Sequence, residues 1–97
     1  IPESALMEHD IRHDPAMQRF VIVVDDVLGY LDYELADGVL AVTHTIVPPA
    51  IGGRGIAARL VQAALAHAHD AGLKVDPRCS YADAWMRRHP EFDGLRA

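Results

Sequence analysis

Hydrophobic and polar positions change their period once along this chain, and the change divides it into a β-rich first half and a helical second half. Arg19 to Val24 (Arg-Phe-Val-Ile-Val-Val) is β-branched and aromatic, which predicts a strand. Asp25-Asp26 marks a turn, and Val27 to Leu35 predicts a second strand. From Leu31 that strand alternates, with Leu31, Tyr33 and Leu35 on one face and Asp32 and Glu34 on the other. Asp37-Gly38 is a hairpin signal. Val39 to Val47 completes the hairpin, apolar on both faces at first, as expected of a central strand.

After two prolines and a glycine cluster the pattern becomes helical. Ile56, Leu60, Ala64 and Ala68 recur every fourth residue, flanked by Ala57, Val61 and Leu65, in a broad apolar stripe. Gly72 is a natural stop. Leu73 to Val75 predicts a short strand, paired in parallel through the helical crossover with the strand that ends at Val47. Ser80 followed by Asp83 resembles a capping box opening a second helix, with Ala82, Trp85, Met86 and His89 on one face and Pro90 ending it. Pro90-Glu91-Phe92 predicts one further turn. Upstream, residues 1–7 read as a loose leader and Glu8 to His13 as a short polar edge strand before an Asp14-Pro15 turn. The expected fold is mixed α/β, with a mostly antiparallel sheet in a single domain over residues 1–97.

Composition narrows the function. A length of 97 residues, 51% of them apolar, suits one hydrophobic core. The net charge of −5, without a Lys/Arg-rich stripe, argues against a nucleic-acid partner and suits a cationic acceptor such as an amine. The single cysteine, Cys79, excludes an internal disulfide framework and fits a reducing, cytoplasmic setting. No apolar run approaches the roughly 18–20 residues of a membrane span, and the first residues lack a signal-peptide layout. His9 and His13 lie four apart, but no third ligand follows, so no metal site is expected there.

The chemistry concentrates between Pro48 and Gly72. Gly52, Gly53 and Gly55 let backbone N–H groups approach a bulky anion, and the helix behind them adds first-turn donors and the positive end of its dipole. That combination suits phosphates, although a plain strand-to-helix turn accounts equally well for the glycines alone.

Val47-Pro48-Pro49-Ala50-Ile51-Gly52-Gly53-Arg54-Gly55-Ile56-Ala57 resembles the acetyl-CoA-binding turn of GNAT-type N-acetyltransferases. His44-Thr45 before it, and Cys79 with His89-Pro90-Glu91 after it, are similar to the small, single-domain GNAT-like subfamily; the likeness runs from Arg19 to Leu95. The resemblance implies an acetyl-CoA-dependent N-acetyltransferase, with acetyl-CoA or coenzyme A held by Gly52, Gly53, Arg54, Gly55, Ile56 and Ala57. The family pattern Gln/Arg-x-x-Gly-x-Gly/Ala starts at Gly52, so its leading side chain is missing while Gly55 and Ala57 match. Pantetheine is expected between Thr43–Val47 and Leu73–Val75, with backbone donors at Ile46 and Val47 polarising the acetyl carbonyl.

Two mechanisms stay open: direct attack by an amine, or transfer through Cys79, whose place before a helix favours a thiolate. His44 is a candidate base, but its alternation with Val42 and Ile46 favours a hydrogen-bonded core histidine. Asp32 and Glu34 are candidates to meet the acceptor, and Tyr81 to serve as the acid, in competition with ordinary surface roles. The acceptor is an unidentified amine, and the chain is expected as a monomer or weak homodimer. A non-catalytic coenzyme A-binding or regulatory module is the alternative.

Overall fold

The computed structural model describes residues 10–97. Strands β1 (Arg12–Asp14), β2 (Arg19–Val24), β3 (Val27–Ala36), β4 (Val39–Ile46) and β5 (Lys74–Pro77) lie side by side in chain order in one sheet. Two tight hairpins connect β2 to β3 and β3 to β4. Asp25 (φ 51°) with Asp26 (φ 63°), and Asp37 (φ 53°) with Gly38 (φ 77°), supply the paired left-handed residues that such two-residue turns need. The first four strands are antiparallel. Helix α1 (Ile56–Asp70) then carries the chain across the sheet, so β5 pairs in parallel with β4, from Val39↔Lys74 to Val42↔Pro77. Helix α2 (Ser80–Arg88) and a short 3-10 turn, Pro90–Leu95, follow.

Helix α1 packs on β2 to β5, and α2 packs on α1, β4 and β5. The core forms where the apolar stripe of α1 (Leu60, Val61, Leu65) meets Phe20, Ile22, Leu31, Leu40 and Val75, closed at one side by Trp85 and Met86. On the other face of the sheet, Val23, Leu28 and Ile46 are 41%, 43% and 42% exposed.

Several expectations need correction. Among the described residues the first strand covers Arg12–Asp14, so Asp10 and Ile11 are not part of it and Asp14 is; residues 1–7, Glu8 and His9 lie outside the described residues. His13 stacks on Phe20 at 4.2 Å, meets the His67 ring edge-on at 4.4 Å and hydrogen-bonds with the Tyr33 hydroxyl. It thereby ties the edge strand to α1. The last strand is Lys74–Pro77 rather than Leu73 to Val75, because the Leu73 N–H still donates to Ala68 O at the end of α1. Leu35 is 45% exposed, at the end of β3 beside the Asp37-Gly38 turn. The capping box does not form. Cys79 is the residue that precedes α2, and the Asp83 carboxylate takes Arg96 and Arg87, each at 3.0 Å.

The largest departure is a β-bulge. Asp32 pairs with His44 but Tyr33 pairs with Val42, which leaves Thr43 as an extra residue on β4. The Thr43 hydroxyl donates to Asp32 O at 3.2 Å and pins the irregularity. One inserted residue exchanges the faces of everything beyond it. His44 therefore shares the exposed face with Asp32, while Thr45 shares the helix-covered face with Leu31. The expected core histidine is a surface residue, 3.3 Å from the Thr43 hydroxyl.

Candidate active site

The parallel ladder between β4 and β5 ends at Val42↔Pro77, yet β4 continues to Ile46. Past that point the strands part, and the chain beyond β5 turns into α2. The gap between them begins beyond Pro77, not at Leu73 to Val75, because Lys74 to Pro77 are paired with Val39 to Val42. A backbone bond crosses the mouth: the Cys79 N–H donates to Val42 O at 2.8 Å.

The glycine turn follows the free end of β4. Pro49–Ile51 forms a single 3-10 turn, and the Gly52 N–H donates to Pro49 O at 3.1 Å. Gly53 (φ 76°) and Gly55 (φ 73°) are left-handed, and a Cβ at either would meet nothing within 4 Å. Glycine serves conformation there and leaves open space above the backbone. Gly55 precedes α1 without any side-chain cap, and no acidic residue lies in the first turn. The first helical bond runs from the Arg59 N–H to Gly55 O at 3.2 Å, so Ile56, Ala57 and Ala58 direct N–H groups out of the helix start. With the dipole behind them, these donors make a seat for an anion. Arg54 is already engaged: its Nη1 lies 2.7 Å from Asp25 Oδ2, and both side chains are about half exposed.

Gly52 differs from its neighbours. Its extended backbone (φ −69°, ψ 160°) is one any residue adopts, and a Cβ there would lie 3.4 Å from Pro49 O, an ordinary contact. The backbone does not exclude a side chain at that place.

Cys79, the free thiol, stands half-buried at the mouth of the cleft, immediately before α2. It donates to Thr45 Oγ1 at 3.5 Å, across the gap that the parting strands leave. Burial pushes this thiol up, but hydrogen bonds from the Thr45 hydroxyl and from the N–H groups of Ala82, Tyr81 and Thr45 outweigh it. The result lies below the usual thiol range. Thr45 is a residue that sequence periodicity missed, because the signal that places it, the bulge at Thr43, leaves no trace in the alternation.

The same geometry separates other candidates. His44 faces away from Cys79 across the sheet. His89 sits ten positions further on, at the far end of α2, about 15 Å along a helix. It stacks on Trp85 at 3.7 Å with Nδ1 2.7 Å from Trp85 O, and so belongs to the core margin. Neither histidine is placed as a partner for the thiol. Asp32 is held by Arg19 at 2.7 Å and Glu34 lies 3.7 Å from Arg78, so both acids have cationic neighbours. Tyr81 packs half-buried against the core. The Ile46 carbonyl lies on the β3 side, 3.5 Å from where a Cβ on Gly29 would stand; since the Thr45 N–H faces Cys79, strand alternation turns the Ile46 N–H toward β3. Val47, just past the strand, packs half-buried on the core.

A cavity of about 670 Å3 lies between Leu65, Leu73, Phe92 and Leu95. It flanks the last turns of α1, about 20 Å from the glycine turn along a helix of 15 residues. Among the described residues no group of three His, Cys, Asp or Glu side chains is arranged to hold a metal ion. No helix among them is long and apolar enough to cross a membrane.

The profile of a family described as GCN5-related N-acetyl-transferase matches residues 19–95. Among solved structures, the chain is similar to a GCN5-like protein of Staphylococcus aureus, provisionally assigned as an N-acetyltransferase and determined in solution by NMR. The TM-score is 0.75 at 24% identity, over 93% of this chain and 89% of that one. No curated protein matches the chain.

Proposed function

This chain belongs to the GCN5-related N-acetyltransferase family, and we propose that it takes the acetyl group from acetyl-CoA and delivers it to a primary amine. The observation that carries this reading is the uncapped start of α1 behind two left-handed, unobstructed glycines, at the end of a strand that has just parted from its neighbour. This donor set fits a nucleotide pyrophosphate: the first turn of α1 carries no acidic residue, and no Cβ stands over the backbone at Gly53 or Gly55. Gly53, Gly55, Ile56 and Ala57 would hold the pyrophosphate, whereas the Gly52 N–H, expected among the donors, is already given to Pro49 O. Arg54 would join them by exchanging Asp25 for a phosphate oxygen.

Acetyl-CoA, when bound, supplies a thioester already activated toward amines. The chain contributes the rest. The parted edge of β4 and the residues after β5 would orient the pantetheine arm, and the Val47 N–H would be the donor offered to the acetyl oxygen. Cys79 offers a thiol that loses its proton at Sγ more readily than usual, at the mouth where the reacting groups would meet. The net charge of −5 favours an acceptor that arrives as a cation. The same reading takes the chain as one cytoplasmic domain, a monomer or weak homodimer.

A second reading, a module that binds coenzyme A without transferring, draws on Gly52, where the family pattern has a Gln or Arg. Calorimetric titration with acetyl-CoA, coenzyme A and ATP, followed by turnover with a panel of primary amines, separates the two. Binding of both CoA species but not ATP, with acetylated amine appearing, supports transfer. Binding without turnover supports the second reading, and no binding removes both.

A further inference from the structure

We propose that Thr45 is the positioning residue of Cys79: its hydroxyl holds the sulfur where β4 and β5 part, and the bulge at Thr43 exists in this chain to bring it there. The inference rests on the acetyl-transfer reading above for its purpose, but its geometry stands independently. Three observations carry it. First, Sγ lies 3.5 Å from Thr45 Oγ1, a contact 34 positions apart in sequence. Second, Thr45 faces the sulfur only because of the inserted residue. Without the extra residue between the Asp32↔His44 and Tyr33↔Val42 pairs, alternation from Val42 would put His44 on the Cys79 face and Thr45 on the other. Third, the arrangement is fastened on both sides. The Thr43 hydroxyl bonds Asp32 O at 3.2 Å, and the Cys79 N–H bonds Val42 O at 2.8 Å.

A hydroxyl suits this task. As a thiol, Cys79 donates to Oγ1; once it loses the proton, the same hydroxyl rotates its hydrogen toward the sulfur and donates to the thiolate. The N–H groups of Tyr81 and Ala82, at the start of α2, complete the set of donors around the sulfur. Charged neighbours are engaged elsewhere. Arg78 lies 2.9 Å from Asp76 and 3.7 Å from Glu34, Asp83 is bound by Arg87 and Arg96, and His44 on β4 lies on the opposite face. The thiolate therefore depends on hydrogen bonds rather than on a neighbouring cation.

The test exploits the single cysteine, which makes alkylation report on Cys79 alone. The rate of iodoacetamide modification, read by mass spectrometry from pH 5 to 10, gives the midpoint of thiolate formation; absorbance of the thiolate near 240 nm gives it again without a reagent. In the unaltered protein the midpoint should fall below the ordinary value of about 8.5. Thr45→Val keeps the shape but removes the hydroxyl, and should raise the midpoint by about one pH unit, roughly a tenfold loss of alkylation rate at neutral pH. Thr45→Ser should restore it. An unchanged midpoint in Thr45→Val, or failure of Thr45→Ser to restore it in a protein with unaltered thermal unfolding, overturns the inference. Titration with acetyl-CoA is run on the same samples. Loss of binding in the unaltered protein would sink the acetyl-transfer reading while leaving the Thr45–Cys79 result to stand or fall by itself.

Discussion

The glycine turn and the Cys79–Thr45 contact lie at either side of the free end of β4, and they are made in opposite ways. The turn is local. Gly53, Gly55 and the uncapped start of α1 lie within four residues, and each adopts its conformation because of what it is, or lacks, at its own position. The contact is distant. It joins residues 34 apart, and it depends on an extra residue in β4 and on a crossover helix that delivers β5 to the right edge. A local device tolerates changes elsewhere and fails when one of its own residues is replaced. A distant one responds to any alteration in the elements between. The two should therefore separate under mutation, the turn governing affinity and the contact governing turnover.

The sharpest break is Cys79→Ala. If the thiol acts in transfer, turnover with amines should fall by roughly a hundredfold or more while acetyl-CoA affinity changes little. Steady-state kinetics beside calorimetry reads both; undiminished turnover would rule out the covalent route and leave direct attack by the amine. Gly55→Glu comes next and acts in the other direction. A side chain at φ 73° is strained by about 1–2 kcal/mol and adds a negative charge at the anion seat. Acetyl-CoA affinity should drop at least about tenfold, with the Cys79 alkylation profile unmoved. Unchanged affinity in a folded variant would contradict the seat.

Asp25→Asn has a smaller effect, because asparagine tolerates the left-handed turn while releasing Arg54. An exposed pair of this kind is worth about 0.2–1 kcal/mol, so acetyl-CoA should bind up to about fivefold more tightly, with a steeper dependence on salt. Weaker binding would show that Asp25 holds Arg54 in a useful place. Gly52→Arg should give the least change. The backbone accepts it, and binding should tighten by about twofold as the missing family side chain returns. A lower affinity would show that this turn works better without it.

Much of the fold was legible in residue order. The strand at Arg19–Val24, the strand from Val39 (which ends at Ile46 rather than the expected Val47), the hairpin at Asp37-Gly38 and the stripe along α1 follow from period and turn chemistry. Gly52, Gly53 and Gly55 were legible as residues without a Cβ that leave the backbone open, but that Gly53 and Gly55 are left-handed and Gly52 extended emerged only in the structure. The face of His44 is not legible, because strict alternation runs straight through Thr43 and one inserted residue reverses every face beyond it. Ser80 and Asp83 were misread because Arg87 and Arg96 are stronger partners for the carboxylate than a backbone N–H, and Arg96 arrives only when the chain folds back.

The sequence by itself determined the local elements: which segments are strands or helices, where tight turns such as Asp37-Gly38 fall, and that a helix begins with its N–H groups free. These depend on sterics and hydrophobic period within a few residues. Only the tertiary structure decided which residues meet. The bulge put Thr45 rather than His44 beside Cys79, the ladder's end at Pro77 located the cleft, and Asp25 claimed Arg54. Such contacts form between groups far apart in the chain, so their selection rests on register and crossover geometry, which no single stretch of residues encodes.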